Sequence, residues 1–341
     1  MLELKRAVTA ATMVCLLAGC AGTSQFAPAG NLNAQSTSAL PPSPRGLANL
    51  NQTFLRAPQQ KFYPFKKTKP GSTLAFVNDE GTQDVYVLDT ATGDVVGTLN
   101  GVGGDGLAIS PYNGQLAIGT LGPTISLWTV TTSGATSTGI TLNLSSGFAN
   151  GITYGSKGDL YATDYPSSNI DEFDAAVVSK GGSASRTYAL PDLQYVYNVI
   201  ASGTKVYAAG TAASGNWDIA ELTKTGDKVL QSISGGSENG LALDKKQNLI
   251  INNNKPQEFE IFAKPYTGTP RIVQYQAAGP LSGIALNSNG TQLWTTSINF
   301  GGGSLDGDAQ PFSYPELSEQ TPSQTFGEEP ISIALYPALK P

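Results

Sequence analysis

The sequence contains no histidine among its 341 residues. That removes imidazole as a general base, proton shuttle or metal ligand. With it go the common serine triad, His-zinc sites and histidine-ligated haem. Cysteine is nearly missing too, since Cys15 and Cys20 are the only two and both fall within the first twenty positions. Charged residues make up 13% of the chain and sum to −6, against a usual charged share of roughly 25%. So thin and acidic a balance excludes a nucleic-acid binder, which needs a basic stripe. The sequence also lacks a P-loop, a Gly-rich dinucleotide turn opening a helix and any Cys-pair metal motif. What is abundant is glycine, 39 residues of it, together with Ser, Thr, Asn and Gln. This is the composition of a turn-rich β protein.

The N-terminus reads as an address. Lys5 and Arg6 precede an apolar run, Ala7 to Leu17, of 11 residues, about half of the ~20 needed to span a bilayer. That is the core of a signal peptide and not a membrane helix. The run leads into Leu17-Ala18-Gly19-Cys20, which resembles the lipobox of bacterial lipoproteins. The resemblance implies cleavage before Cys20 and lipid on its sulfur and new amino group; an ordinary secretory signal with a chance cysteine is the alternative. Removing Glu3, Lys5 and Arg6 leaves the mature chain at −7 with one, acylated, cysteine and no internal disulfide. In Gram-negative lipoproteins an aspartate after the cysteine favours inner-membrane retention, so Ala21 fits an outer-membrane address. Residues 1–19 are then signal peptide, and 20–70 a lipidated cysteine and linker rich in Ala, Ser, Pro, Gln and Asn. Such a composition buries too little apolar surface to offset its ordering entropy. Lys61, Lys66, Lys67 and Lys69 form a basic run at its end, read as solvated charge within reach of anionic headgroups, and Phe62, Tyr63 and Phe65 are expected to pack on the outside of the following domain. The expected setting is the bacterial cell envelope, with anchorage to a membrane and not through it.

From residue 71 onward an apolar strand pattern recurs six times: at Leu74, Leu116, Leu160, Val206, Leu249 and Leu293, spaced 42, 44, 46, 43 and 44 residues apart. A second pattern precedes most of these by about nine residues, as in Gly106-Leu-Ala-Ile, Gly151-Ile-Thr-Tyr, Asn198-Val-Ile-Ala, Gly240-Leu-Ala-Leu and Gly283-Ile-Ala-Leu. Between the two lie Asn113-Gly114, Lys157-Gly158, Ser202-Gly203 and Asn289-Gly290, turn signals between apolar runs. A third strand follows each time, and a weaker fourth closes several units. Four short strands per unit of about 44 residues define a β-propeller blade. The chain enters the repeat at its second strand and ends on Ile331-Ser-Ile-Ala-Leu-Tyr, which matches the first. The expectation over 71–341 is therefore an all-β, six-bladed propeller of four-stranded antiparallel blades, its ring closed by the C-terminal strand.

The stretch Leu74 to Pro111 resembles the YVTN-type propeller repeat, and later units such as Gly151 to Asp164 resemble NHL or gluconolactonase-type blades. The resemblance implies a fold that serves binding, scaffolding and several chemistries. The residue before each inner-strand glycine is expected at one mouth of the central channel: Asp105, Asn150, Tyr197, Asn239 and Ser282, with Ile331 in the blade that closes the ring. Asp105, Asn150 and Asn239 carry hard oxygens suited to Ca2+. In gluconolactonase-like propellers such residues hold the catalytic metal together with a glutamate from the first blade. Here that place is Ile331, with Glu238, Glu328 and Glu329 near in sequence but off register. Asp164 and Asn252 to Asn254 are expected on a loop face. Asp306 and Asp308 lie in a Gly-rich insertion read as a surface loop, because Gly301 to Gly303 and Ala309 break a calcium-loop spacing. The recurring aromatics, Phe76 and Trp294 among them, are read as inter-blade core. Two functions stay open: a membrane-anchored binding or scaffold module for an envelope protein, glycan or small molecule, and a calcium-dependent lactonase or esterase. A streptogramin-lyase-like activity would rely on a histidine that is absent.

Overall fold

The computed structural model describes residues 61–69, 71–233, 238–254, 257–275, 279–299, 306–321, 323–326 and 329–340. The description starts with a short strand β1 (Phe62–Pro64). Blade 1 takes β2 (Leu74–Asp79), β3 (Asp84–Asp89) and β4 (Val95–Leu99). Blade 2 is β5 (Leu107–Ile109), β6 (Gln115–Gly119), β7 (Thr124–Thr131) and β8 (Gly134–Asn143). Blade 3 holds β9 (Ile152–Tyr154), β10 (Leu160–Asp164) and β11 (Asn169–Phe173), then a one-and-a-half-turn helix α1 (Ala175–Lys180) and β12 (Gly182–Ser183) before its outer strand β13 (Arg186–Ala189). Blade 4 is β14 (Tyr195–Ser202), β15 (Lys205–Thr211), β16 (Trp217–Leu222) and β17 (Asp227–Ile233). Blade 5 is β18 (Glu238–Leu243), β19 (Leu249–Asn254), β20 (Gln257–Phe262) and β21 (Arg271–Gln274). Blade 6 is β22 (Leu281–Leu286), β23 (Gln292–Asn299), β24 (Asp306–Ser313) and β25 (Gln324–Phe326).

The last strand, β26 (Pro330–Tyr336), returns to pair with β2, so that Leu74 faces Tyr336 and Phe76 faces Ala334. Six antiparallel blades of four strands result, β26 being the inner strand of blade 1. Successive inner strands touch in a closed cycle through β5, β9, β14, β18, β22 and β26. Closure removes the free sheet edges that an open array would leave at its ends. Among the described residues no helix is long and apolar enough to cross a membrane.

The hairpin glycines sit where the sequence puts them: Gly114, Gly158, Gly203 and Gly290 all take positive φ, from 63° to 82°. The inner-strand glycines have a different reason. A Cβ on Gly151 would lie 2.8 Å from Asn198 Cα, one on Gly240 2.7 Å from the Ser282 carbonyl, and one on Gly283 2.8 Å from Ile333 N. Glycine there lets one inner strand lie against the next around the axis. The amides of three of these glycines are held by the second strand of their own blade: Gly151 N–H donates to Thr163 Oγ1 (2.9 Å), Gly240 N–H to Asn252 Oδ1 (2.7 Å) and Gly283 N–H to Thr296 Oγ1 (2.8 Å). Register shifts at Val196/Asn198, Glu238/Leu241, Leu281/Ile284 and, opposite Ile331, at Asn78/Asp79 place a bulge at the mouth end of the inner strands of four blades.

The aromatic residues read as core are core. Phe76, Phe173, Phe259 and Trp294 are fully buried, and Trp128, Tyr207, Trp217 and Phe262 nearly so. Tyr86 and Tyr161 are the exceptions, both half-buried, Tyr161 with its hydroxyl on Glu172 Oε1 at 3.0 Å. The end of the stretch read as linker is built into the propeller. β1 adds to β8, Phe65 N–H bonds the Ser133 carbonyl (3.0 Å) and Lys66 N–H bonds the Val96 carbonyl (2.7 Å). Residues 61–66 thus strap the outer edge of blade 2 to that of blade 1, with Tyr63 edge-on to Trp128 and Phe65 edge-on to Phe76.

Candidate functional site

The inner strands begin at one mouth of the channel, and the second strands end there. The channel itself has a volume of about 200 Å3 and is lined by apolar side chains such as Ile152, Ile200, Ile284 and Ile333. That is below the ~300 Å3 at which drug-sized pockets start, so a ligand of any size must be met at the mouth.

Asp105, Tyr197 and Ser282 are buried there, at 2%, 4% and 4% exposure, while Asn150 and Ile331 are half-buried. Asn239 lies in β18, its side chain outside the described residues, as is that of Glu238 and all of Glu328. The backbone carbonyl of Asp105 accepts a hydrogen bond from Ser332 Oγ, tying blade 2 to β26. No backbone, hydroxyl or amide group donates to its carboxylate oxygens, whose side-chain partner is the Glu80 carboxyl, and the buried Oδ1 of Asn150 has no donor either.

Glutamate is missing at the register position, but the structure brings acid from elsewhere. Glu80, one residue past β2, contacts Asp105 side chain to side chain, and Glu329 adds its charge to both. Asp79 lies beside them, fully buried, its Oδ1 accepting from Thr82 N–H (3.1 Å) and Glu329 N–H (3.2 Å). The Glu329 carbonyl accepts from Glu80 N–H at 3.0 Å, so the closing strand and the β2–β3 turn fix each other. Glu80 Oε2 and Asp79 Oδ2 are buried without a donor, like the Asp105 oxygens.

Two carboxyls in contact cannot both be ionised without a proton or cation between them. Burial, then the charge of Glu329, raises Glu80 from 4.5 to about 7, partly offset by its hydrogen bond to Asp105. Burial, then the charge of Glu80, drives Asp105 well above the usual carboxylate range. The charges acting most on this pair are all negative.

An aromatic group adjoins the acids. Tyr165 follows β10, and burial first, then Tyr195 and Asp105, raise its phenol above the ordinary value. Its ring lies 5.2 Å from Phe148, 5.9 Å from Tyr195 and 5.6 Å from Tyr197, which stacks on Trp217 at 5.1 Å and 6°.

Other sequence leads serve structure. Asn252 and Asn253 are buried and not on a loop face. Asn252 and Asn254 amides both donate to the Leu281 carbonyl (2.7 and 2.9 Å) and so join blade 5 to blade 6, while Asn253 donates to Glu260 Oε1 (3.0 Å) within blade 5. Asp164 is buried as well and accepts from Ser145 Oγ (2.7 Å) and Ser146 Oγ (2.6 Å), holding the loop before β9. Asp306 and Asp308 belong to β24, not to a surface loop.

The donor set at the mouth is of the type a hard cation takes: carboxylate and amide oxygens from Asp105, Glu80, Glu329 and Asn150. Among the described residues no three acidic side chains stand together as a ready-made metal cage. An ion would therefore need the acids to turn toward one another and the Asn150 amide to join them.

No protein-family profile matches the sequence, and no curated protein matches it. Solved structures do share its fold. Hydrazine synthase of Kuenenia stuttgartiensis superposes with a TM-score of 0.55 at 13% identity, over 79% of this chain and 88% of that one. A protein of Bacteroides uniformis described as a candidate 6-phosphogluconolactonase gives 0.53 at 10% identity, over 76% and 84%. At such identities the likeness shows the propeller fold alone.

Proposed function

We propose that this propeller is a lipid-anchored binding module of the bacterial cell envelope, and that its ligand is taken at the acidic mouth of the channel with the help of a hard divalent cation, Ca2+. One observation carries the reading. At one mouth, buried carboxyl oxygens of Asp105, Glu80 and Asp79 and the amide oxygen of Asn150 receive no backbone, hydroxyl or amide donor, and Asp105 and Glu80 meet only each other. A buried acceptor left so is costly, and a bound cation offsets that cost. Asp105, Glu80, Glu329 and Asn150 would hold the ion, which supplies positive charge for an oxygen-rich ligand such as a glycan or a carboxylate. The lipobox-like Leu17-Ala-Gly-Cys20 supports the anchor.

The same donors favour a second reading, a calcium-dependent lactonase or esterase. Sequence register alone denied that reading a glutamate, and Glu80 and Glu329 stand beside Asp105.

The test is melting of the mature chain carrying Cys20→Ser, with chelator and then with millimolar calcium. Binding to the folded state stabilises by about 2.7 kcal/mol at a hundredfold excess over Kd. An upward shift lost in Asp105→Asn is expected, and no shift would sink the cation. A lactone and ester screen on the calcium-loaded protein then separates the hydrolase from the binding module. Palmitate labelling of the full chain, abolished by Cys20→Ser, tests the anchor.

A further inference from the structure

Charge is distributed very unevenly along this chain. From residue 4 to residue 78 there is no aspartate or glutamate at all. Within 21–78 stand six cations, Arg45, Arg56, Lys61, Lys66, Lys67 and Lys69, whereas 79–341 carries 25 acids and 12 bases, a net −13. A propeller so acidic is repelled by anionic surfaces, so the place where its cations gather decides which side can approach one.

The fold fixes Lys61 and Lys66 on one edge, and Lys67 and Lys69 follow directly in the chain. The strap of residues 61–66 is pinned to blades 1 and 2 by β1 and by the Phe65 and Lys66 amide bonds, so its side chains are held and do not trail. β1 alternates: Tyr63 points in, while Phe62 and Pro64 point out. Phe62 is 56% exposed, one of few large apolar side chains so placed among the described residues. Lys61, Lys66, Lys67 and Lys69 are exposed along the same stretch of chain, Lys61 with its ammonium 4.6 Å from the Tyr63 ring centre. The one ion pair among the described residues is Lys205–Glu221, so none of the four is matched by a carboxylate. An exposed aromatic on a run of lysines without carboxylate partners is suited to the interface of an anionic bilayer.

We infer that the strap edge of blades 1 and 2 docks on anionic lipid headgroups, with Phe62 inserted and Lys61, Lys66, Lys67 and Lys69 on the phosphates. The anchor reading explains why such an edge is near lipid: Cys20 precedes Lys61 by 41 residues, a contour of at most about 150 Å. The mouth reading is not involved. With this edge on the membrane the propeller stands on its rim, and the acidic mouth opens sideways, parallel to the lipid surface and away from its repulsion.

The experiment uses the mature chain with Cys20→Ser, so that no acyl chain contributes. Co-sedimentation is measured with phosphatidylcholine vesicles, and with vesicles in which about a third of the lipid is phosphatidylglycerol. Binding is expected on the anionic vesicles alone and lost when salt rises from about 50 to about 500 mM. The combined variant Lys61→Gln, Lys66→Gln, Lys67→Gln, Lys69→Gln is expected to bind at least about tenfold more weakly, and Phe62→Ser to weaken binding as well. A control removing four exposed lysines of blades 3 and 4, Lys157→Gln, Lys180→Gln, Lys224→Gln and Lys228→Gln, is expected to bind as the parent does. Equal binding to neutral vesicles, a strap variant that binds like the parent, or a control that loses as much as the strap variant overturns the inference. Palmitate labelling reports on the anchor separately.

Discussion

Glu80 and Asp105 have a measurable consequence at the scale of single residues. In the unfolded chain a glutamate loses its proton near 4.5, whereas Glu80 in the fold keeps it to about 7. Between those values the folded state binds more protons than the unfolded state, so stability falls as pH rises, and above 7 the loss is complete. Asp105 acts in the same direction. The gap of 4.5 to about 7 caps the Glu80 contribution at about 3 kcal/mol. Urea unfolding with chelator present is therefore expected to show the protein less stable at pH 7.5 than at pH 5, and Glu80→Gln to flatten that slope. A profile already flat in the parent would mean the acids ionise freely and need no cation. Asp105 and Asn150 are legible in the sequence because they repeat at a fixed place before the inner-strand glycine. Glu80 is not, because the acid was sought on the first strand of its blade, at Ile331, and stands instead past the end of the second. The clue was present in Asp79-Glu80, which occupies the blade position of Asp164-Tyr165; which of the two side chains meets Asp105 depends on the β26 bulge, a tertiary feature.

The unit at the scale of elements is the bulged inner strand with its glycine. The period of about 44 residues and the Asn-Gly hairpins made blade number, strand order and closure readable. The reason for the second set of glycines was not readable, because it lies in the neighbouring blade. Gly283 has ordinary φ, yet a Cβ there would meet Ile333 N and Ser332 Cα, both at 2.8 Å. Backbone cannot turn aside as a side chain can, so Gly283→Ala must push two inner strands apart. Its cost is expected at about 1–3 kcal/mol, the range for overpacking a tight core. Gly268→Ala is the contrast: nothing lies within 4 Å of its Cβ and its φ is ordinary, and stability is expected to hold or rise slightly. Equal losses in the two variants, measured by urea unfolding, would show that close approach around the axis is not what those glycines serve. The strap was half readable by the same logic. Tyr63 and Phe65 announce burial, but strand pairing with β8 is a contact across 72 residues, from Tyr63 to Ala135, that no local pattern displays.

The ring is the cooperative object at the scale of the whole molecule. No disulfide can hold it, since both cysteines lie within the first twenty residues. Its closure rests on β26, which supplies the inner strand of blade 1, carries Ile333 and Leu335 into the core beneath Trp294 and Phe326, and presents Ser332 to Asp105. Glu329, just before it, completes the acid group at the mouth. Fold and candidate site therefore meet in the last dozen residues of the chain. A chain ending at residue 328 loses one strand of 24 in the blades, yet it exposes the β2 edge and opens the cycle of inner strands on both sides of blade 1. An open propeller has two unprotected edges and an uncovered core, so the truncation is expected to abolish the single cooperative unfolding transition and not merely lower its midpoint. A synthetic peptide of residues 329–341 supplied in trans is expected to restore that transition, and the calcium-dependent shift with it, because the closing strand brings Glu329 back to Asp105. Restoration with Ile333→Asp in the peptide would show that β26 acts as a generic edge cover; failure of that peptide beside success of the native one assigns the closure to the packed inner strand.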